Sequence, residues 1–169
     1  MIVLGVDTAI RKTGYGVIDL QPGGSFKILD CGVIRNGPSL PHSECLRRLS
    51  GGIRELVSAF HPDAASLETA FVSRNIRTAM ILSLARGSVI AALAEQGVPA
   101  FEYSPKTAKR AATGNGEADK SQVASVLAAW GGLDVTGIPN DATDALALAL
   151  CHASLAVRPD GACRIPKPI

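Results

Sequence analysis

Aromatic residues are scarce in this 169-residue chain, which has one Trp, two Tyr and four Phe. A hydrophobic core must therefore be built from aliphatic side chains, and the hydrophobic fraction of 47% supplies them. No uninterrupted apolar run reaches the roughly 18 residues that a membrane-spanning helix needs. The chain also opens into an apolar strand without a basic leader, so we expect a cytoplasmic protein with no signal peptide or membrane span.

Paired cysteines are absent too. The four cysteines lie far apart and form no C-x-x-C motif, and the three histidines lack ligand spacing. These spacings exclude a zinc finger and a disulfide framework and favour reduced thiols. The net charge is only +2. Basic residues nevertheless cluster around a Gly-Asn-Gly loop, which predicts a local binding face for a polyanion: Lys106, Lys109, Arg110 and Lys120.

Hydrophobic periodicity predicts the element order β-β-β-α-β-α-β-α-α. The strands are expected near residues 2–6, 15–18, 26–34, 64–67 and 98–103, and the longer helices near 46–60, 77–96, 119–130 and 140–155. A meander followed by right-handed crossovers gives an α/β fold, a five-stranded mixed sheet flanked by helices on both faces. We expect one domain over residues 1–156 and a flexible tail over residues 157–169.

Four acidic residues fall at the ends of predicted core elements. Asp7 and Glu68 close the first and fourth strands, while Asp141 and Asp144 open the last helix. Such charges are costly at the margin of a core unless a cation lies among them, and carboxylate oxygens suit Mg²⁺ or Mn²⁺. The pattern predicts a metal-dependent phosphoryl-transfer site. Taken singly, Asp7 is also compatible with a solvated turn, Glu68 with a strand end, and the Asp pair with a helix start capped by Asn140.

Further motifs join these acids in a fixed order, and together they resemble the bacterial RuvC family of Holliday-junction resolvases: Gly5-Val6-Asp7, Thr13-Gly14-Tyr15-Gly16-Val17, Leu67-Glu68-Thr69-Ala70-Phe71, Phe101-Glu102-Tyr103, Lys120-Ser121-Gln122-Val123 and Asp141-Ala142-Thr143-Asp144-Ala145. The resemblance covers about residues 1 to 155. Two positions are notable. Thr8-Ala9 replaces the usual Pro-Gly after the first acid, and Asp141 stands where some relatives carry His.

The resemblance implies a ribonuclease-H-like fold and a homodimer. It implies paired symmetric nicks in four-way DNA junctions, in recombination and repair, and cutting after paired thymines. Two Mg²⁺ ions, replaceable by Mn²⁺, would serve hydrolysis to 5′-phosphate and 3′-hydroxyl ends, and RuvA and RuvB would be partners. The implied catalytic and metal-binding residues are Asp7, Glu68, Asp141 and Asp144. The implied DNA-binding residues are Phe71, Arg74, Asn75, Lys109 and Lys120.

Several alternatives remain open at this point. Phe71 fits either a wedge against a nucleobase or a loop aromatic folded onto the core. Lys120 is compatible either with a residue that stabilises the transition state or with one that contacts a backbone phosphate. The whole chain is also compatible with a nuclease of the same fold that acts on RNA or simple duplex. An ATP-binding domain of the actin type also begins with a strand, an Asp and a glycine turn, but that domain is normally duplicated and 169 residues leave no room for two copies. A DNA-binding module without catalytic activity would not explain the presence of all four acids.

Overall fold

The computed structural model describes residues 1–69, 75–131, 137–157 and 165–169. Within these ranges the chain forms five strands and five helices, one helix more than the predicted order, because a short helix over residues 105–113 follows the fifth strand. The strands are β1 (Ile2–Asp7), β2 (Lys12–Leu20), β3 (Phe26–Arg35), β4 (Ala64–Glu68) and β5 (Ala100–Tyr103). The helices are α1 (His42–Phe60), α2 (Ile76–Glu95), α3 (Pro105–Thr113), α4 (Lys120–Gly131) and α5 (Asn140–Ala156).

The strands form one mixed sheet in the order β3-β2-β1-β4-β5. Strands β1, β2 and β3 pair antiparallel, whereas β1, β4 and β5 pair parallel. The predicted five-stranded mixed sheet, with the first strand beside the fourth, is thus confirmed. Val6 lies opposite Leu67 in the parallel register. Asp7 and Glu68, the next residues along, therefore end neighbouring strands at the same edge of the sheet.

Helices cover both faces of the sheet. Because successive strand residues point to opposite faces, Leu4 and Val6 pack against α1 and α2, while Val3 packs against α4 and α5. Gly5 and Asp7 share the face of Val3 by the same alternation. The first face is closed by buried aliphatic residues of α1 and α2 that include Leu49. Both cores are built almost without aromatic side chains, as the composition predicted.

Helix α5 lies directly on the backbone of β1 and β2 at three glycines. A Cβ atom at Gly5 would lie 1.9 Å from the carbonyl oxygen of Ala145, and one at Gly14 would lie 1.9 Å from the carbonyl oxygen of Asp141. At Gly16 it would lie 2.7 Å from the Leu146 side chain. These distances leave no room for any side chain. The glycines therefore set how closely the start of α5 approaches the sheet.

Several boundaries differ from their predictions, and β5, for example, begins at Ala100 and not at residue 98. Strand β2 begins at Lys12 and α1 begins at His42, earlier than expected, because the added residues are largely polar and carry no apolar period. Helix α5 begins at Asn140 as predicted, but its cap is Pro139, and not Asn140 as in the helix-capping alternative for the Asp pair. The Pro139 carbonyl accepts hydrogen bonds from the N–H groups of Ala142 at 3.0 Å and Thr143 at 3.1 Å. A backbone acceptor thus takes over the role expected of the Asn140 side chain.

The last described residues, 165–169, are exposed. The backbone N–H of Ile169 donates to the Ala100 carbonyl at 2.9 Å, beside the start of β5. The domain boundary near residue 156 stays a prediction.

The close approach of α5 gives a first prediction. Gly5→Ala should lower the free energy of unfolding by about 3 kcal/mol or more, since its methyl group meets helix backbone that cannot rotate away. Gly51→Ala, in the interior of α1 with nothing within 4 Å of the new carbon, is the matched control. It should be neutral or should raise stability by about 0.5–1 kcal/mol. Urea denaturation measures both, and similar values for the two variants would contradict the contact.

Candidate active site

Asp7 and Glu68 line the same cavity, of about 160 Å³, at the edge of the sheet where β1 and β4 end. The carboxyl ends of adjacent parallel strands open onto such a crevice in α/β folds. Thr8 and Thr69 continue the two strands into the cavity wall, and α2 supplies the opposite wall. Two of the four predicted acids therefore meet here. Both have further interactions within the fold.

A second cavity, of about 250 Å³, lies on another side of Glu68. Asp144 from α5 and Lys109 from α3 line it together with Glu68. Glu68 is thus common to both cavities and connects Asp7 with Asp144. The lysine places a positive charge among carboxylates that would otherwise repel one another.

Asp141 lies one turn before Asp144 and is half-buried. Its backbone carbonyl sits over Gly14, and Gly14 is the strand partner of Asp7. The packing of α5 on the glycines therefore brings the fourth predicted acid to the strand end that carries Asp7. The strand ends that carry Asp7 and Glu68 and the helix start that carries Asp141 and Asp144 therefore lie at one end of the sheet, although these three segments are far apart in sequence.

The donor set suits a hard divalent cation, because every candidate ligand is a carboxylate oxygen. The buried hydroxyl oxygen of Thr8, in the wall of the first cavity, has no hydrogen-bond partner among the described residues. Within the same residues, no three Asp, Glu, His or Cys side chains form a ready-made ligand cage. Mg²⁺ usually keeps several waters and binds substrate phosphate as well as one or two carboxylates. The residues therefore fit an ion whose coordination is completed by substrate.

Arg86 of α2 is a site residue that the sequence analysis missed. Its guanidinium donates hydrogen bonds to the backbone carbonyl of Glu68 and to the carboxylate of Glu102, and its side chain is only 13% exposed. Arg86 also lines the cavity that holds Asp7 and Glu68. The feature of the sequence that could have indicated this role is the position of Arg86 within the apolar run of α2. Arg86 and Glu102 together fix the end of β4 between α2 and β5.

Tyr103 supports the same strand end from β5, where it lies opposite Glu68. Its hydroxyl group is 2.8 Å from Nδ1 of His152 on α5, and the His152 ring also contacts Phe101 at a centroid distance of 4.5 Å. Burial lowers the pKa of His152, so the imidazole is neutral at neutral pH. This buried pair ties β5 to α5 behind the acids.

The structure describes only some of the predicted DNA-contacting residues. Lys109 lies in the cavity with Glu68 and Asp144. Asn75 is exposed and caps α2, its side chain accepting a hydrogen bond from the Thr78 N–H at 3.2 Å. Lys120 opens α4, but its side chain is outside the described part of the chain. Phe71 and Arg74 also fall outside the described residues.

Known proteins resemble this chain over nearly all of its length. The family model described as crossover junction endodeoxyribonuclease RuvC matches residues 3–152. The RuvC of Chlorobaculum parvum is 45% identical over 163 residues, which cover 96% of this chain and 87% of that protein. That of Pelotomaculum thermopropionicum is 38% identical and covers 90% and 93%. The solved structure of T. thermophilus RuvC in complex with Holliday junction substrate matches with a TM-score of 0.89 at 32% identity, covering 100% and 99%.

The position of Arg86 generates a second prediction. Arg86→Leu should lower the free energy of unfolding by about 2–3 kcal/mol, because it leaves the Glu102 carboxylate and the Glu68 carbonyl without their donor. Arg54→Leu removes the comparable but exposed pair with Glu95, at 2.7 Å, and should cost less than about 1 kcal/mol. Chemical denaturation of both variants tests the difference. Equal losses would mean that Arg86 contributes no more than a surface charge.

Proposed function

This chain belongs to the RuvC family of crossover junction endodeoxyribonucleases, and we propose that Asp7, Glu68, Asp141 and Asp144 are its catalytic and metal-binding residues. Members of the family are metal-dependent nucleases with a ribonuclease-H-like fold. The protein acts on four-way (Holliday) DNA junctions and resolves them in recombination and repair. The proposal is supported by two adjoining cavities, one lined by Asp7 and Glu68 and the other by Glu68 and Asp144, and by the position of Asp141 one turn before Asp144.

The chemistry required is in-line hydrolysis of a phosphodiester. Water attacks phosphorus and the bond to the 3′-oxygen breaks, which leaves a 5′-phosphate and a 3′-hydroxyl. We propose Mg²⁺ as the natural metal, two ions per active site, with Mn²⁺ able to substitute. When bound, the metal lowers the pKa of the attacking water and offsets the charge of the leaving oxygen.

The residues of the chain would bind the metal and position the substrate for this reaction. Asp7 and Glu68, held on two rigid strand ends, would hold the metal from one side, and Asp141 with Asp144 from the other. Lys109, beside Glu68 and Asp144, is placed to contact a phosphate oxygen of the substrate. The Thr8 hydroxyl can donate a hydrogen bond into the cavity. Phe71, Arg74, Asn75 and Lys120 are proposed to contact junction DNA on the evidence of the family motifs.

Two symmetric nicks require two active sites related by a twofold axis, so we propose that the protein works as a homodimer. Helix α2 offers a surface for it. Ile76, Met80 and Leu84 recur every four residues and are 75%, 64% and 53% exposed. Within the described residues α2 is the one helix long and apolar enough to cross a membrane, which alone is weak evidence for a span. An apolar stripe on a helix whose other side packs on α1 is better suited to a second copy of the chain.

RuvC relatives are soluble enzymes that act on DNA. We propose that this protein acts in the cytoplasm with the RuvA and RuvB branch-migration proteins as partners. The family motifs support this proposal.

Substitution of the first carboxylate tests the active site. Asp7→Asn should reduce cleavage of a labelled four-way junction by a factor of about 10³ or more while the dissociation constant for the junction changes little, because the substitution removes a metal ligand and no DNA contact. Asp19→Asn is the matched control, and this variant should cleave the junction normally. Asp19 lies near the end of β2 that is far from Gly14, the strand partner of Asp7.

The same cleavage assay tests the choice of metal. Cleavage by the natural sequence is expected with Mg²⁺ or Mn²⁺, and binding without cleavage with Ca²⁺. Full nicking by the Asp7→Asn protein would refute the carboxylate assignment, and full nicking with Ca²⁺ would refute the choice of metal.

Helix α2 gives a further prediction. Met80→Glu should convert the dimer to monomer at micromolar concentration and abolish paired nicking, since it places a charge in the middle of the apolar stripe. Val157→Glu changes another exposed apolar residue, 49% exposed at the end of α5, and should leave the dimer intact. Sedimentation analysis reads the mass directly. A Met80→Glu protein that stays dimeric would place the interface elsewhere.

A further inference from the structure

Two cations lie directly opposite each other at the open end of the β2–β3 hairpin. Lys12 begins β2, Arg35 ends β3, and the two are paired in the antiparallel register. Both are exposed. Together with Arg11 they line a cavity of about 360 Å³ that is completed by Asn36, Gly37 and Pro38. The most basic part of this hairpin is therefore also a concave surface.

This pairing is unfavourable for the folded protein by itself. Like charges directly opposite on neighbouring strands repel each other and lower the stability of a sheet. Among the described residues, neither Lys12 nor Arg35 forms an ion pair with a carboxylate that would offset the repulsion. An anionic ligand bound between them would remove this cost. The arrangement is thus suited to binding an anion.

Arg11 has a different role. One of its terminal nitrogens donates to the carbonyl oxygens of Gly37, at 2.5 Å, and Leu40, at 3.0 Å, and lies 3.2 Å from Sγ of Cys45. These contacts hold the segment after β3 against the start of α1. Arg11 therefore shapes the rim of the cavity, and Lys12 and Arg35 are the groups available to a ligand.

The pair lies on the same face of the sheet as Asp7. Lys12 and Gly14 are two residues apart on β2, so their side positions point to the same face of the sheet, and Gly14 is paired with Asp7. Helix α5 starts over Gly14, and Lys12 is exposed. Lys12 lies two residues along and one strand spacing away from Asp7, and Arg35 lies two strand spacings away, so their backbone positions are roughly 8 Å and 12 Å from Asp7. These distances correspond to about two to four nucleotides along the axis of a DNA duplex.

We propose that Lys12 and Arg35 form a clamp for the phosphodiester backbone of the DNA strand that is cut, a few nucleotides from the scissile phosphate. The proposal rests on the proposed function, since it assumes that DNA reaches the four carboxylates. The proposed clamp is a DNA contact outside the family motifs. It lies on the β3 side of the sheet, whereas Lys109 lies beside Glu68 of β4. The ligand is a sequence-independent backbone phosphate, because both side chains offer only charge and N–H donors.

The double variant Lys12→Gln/Arg35→Gln tests the clamp. Junction binding is measured without metal between about 0.05 and 0.3 M salt. The slope of log K against log salt should fall by about one to two, and affinity at 0.1 M salt should fall about tenfold or more. Single-turnover cleavage with every junction bound should keep its rate. The melting temperature should stay the same or rise, because a repulsion has been removed.

Lys27→Gln is the matched control, an exposed cation at the other end of the same hairpin, and it should leave the salt slope unchanged. An unchanged slope in the double variant would overturn the clamp. A lower melting temperature with slower cleavage of fully bound junction would also overturn it, since the residues would then be structural. Failure of the natural sequence and of Lys27→Gln to cleave junctions would instead defeat the proposed function.

Discussion

The contact between helix α5 and the bare backbone of β1 and β2 is the constraint on which the site depends. Asp141 and Asp144 are carried by a helix, and Asp7 by a strand. Their distance is therefore fixed by how closely helix and sheet approach each other. Gly5, Gly14 and Gly16 allow that approach by having no side chains. The buried residues of α5, which lie between Ala142 and Ala153, then hold the helix in place by hydrophobic burial, together with the contact between His152 and Tyr103.

Much of this could be predicted from the sequence because the signals are local. Periodicity located the strands and helices, and the acids were evident as charges at the ends of apolar segments. The neighbouring positions of Asp7 and Glu68 followed from topology, since a crossover from an antiparallel meander places β4 beside β1. The position of Asp7 beside Glu68 could therefore be predicted from the sequence alone.

The remaining features depend on contacts between residues distant in sequence. The three glycines are visible in the chain, but only the register shows that they lie under one helix. Arg86 is an unremarkable charge until β4 and β5 place a carbonyl and a carboxylate beside it. The Asn140 cap failed for a local reason, because Pro139 already fixes an extended backbone and offers its own carbonyl.

Helix α2 carries two kinds of residue on one rigid body. Met80 and Leu84 point outward, while Ala79, Leu82, Ser83 and Arg86 form a wall of the cavity that holds Asp7 and Glu68. A helix of 20 residues is about 30 Å long and does not bend easily. A shift of the outer side of this helix would therefore also move the residues that line the cavity. In the proposed dimer, the position of the second copy on α2 would affect the wall of the cavity that holds Asp7 and Glu68.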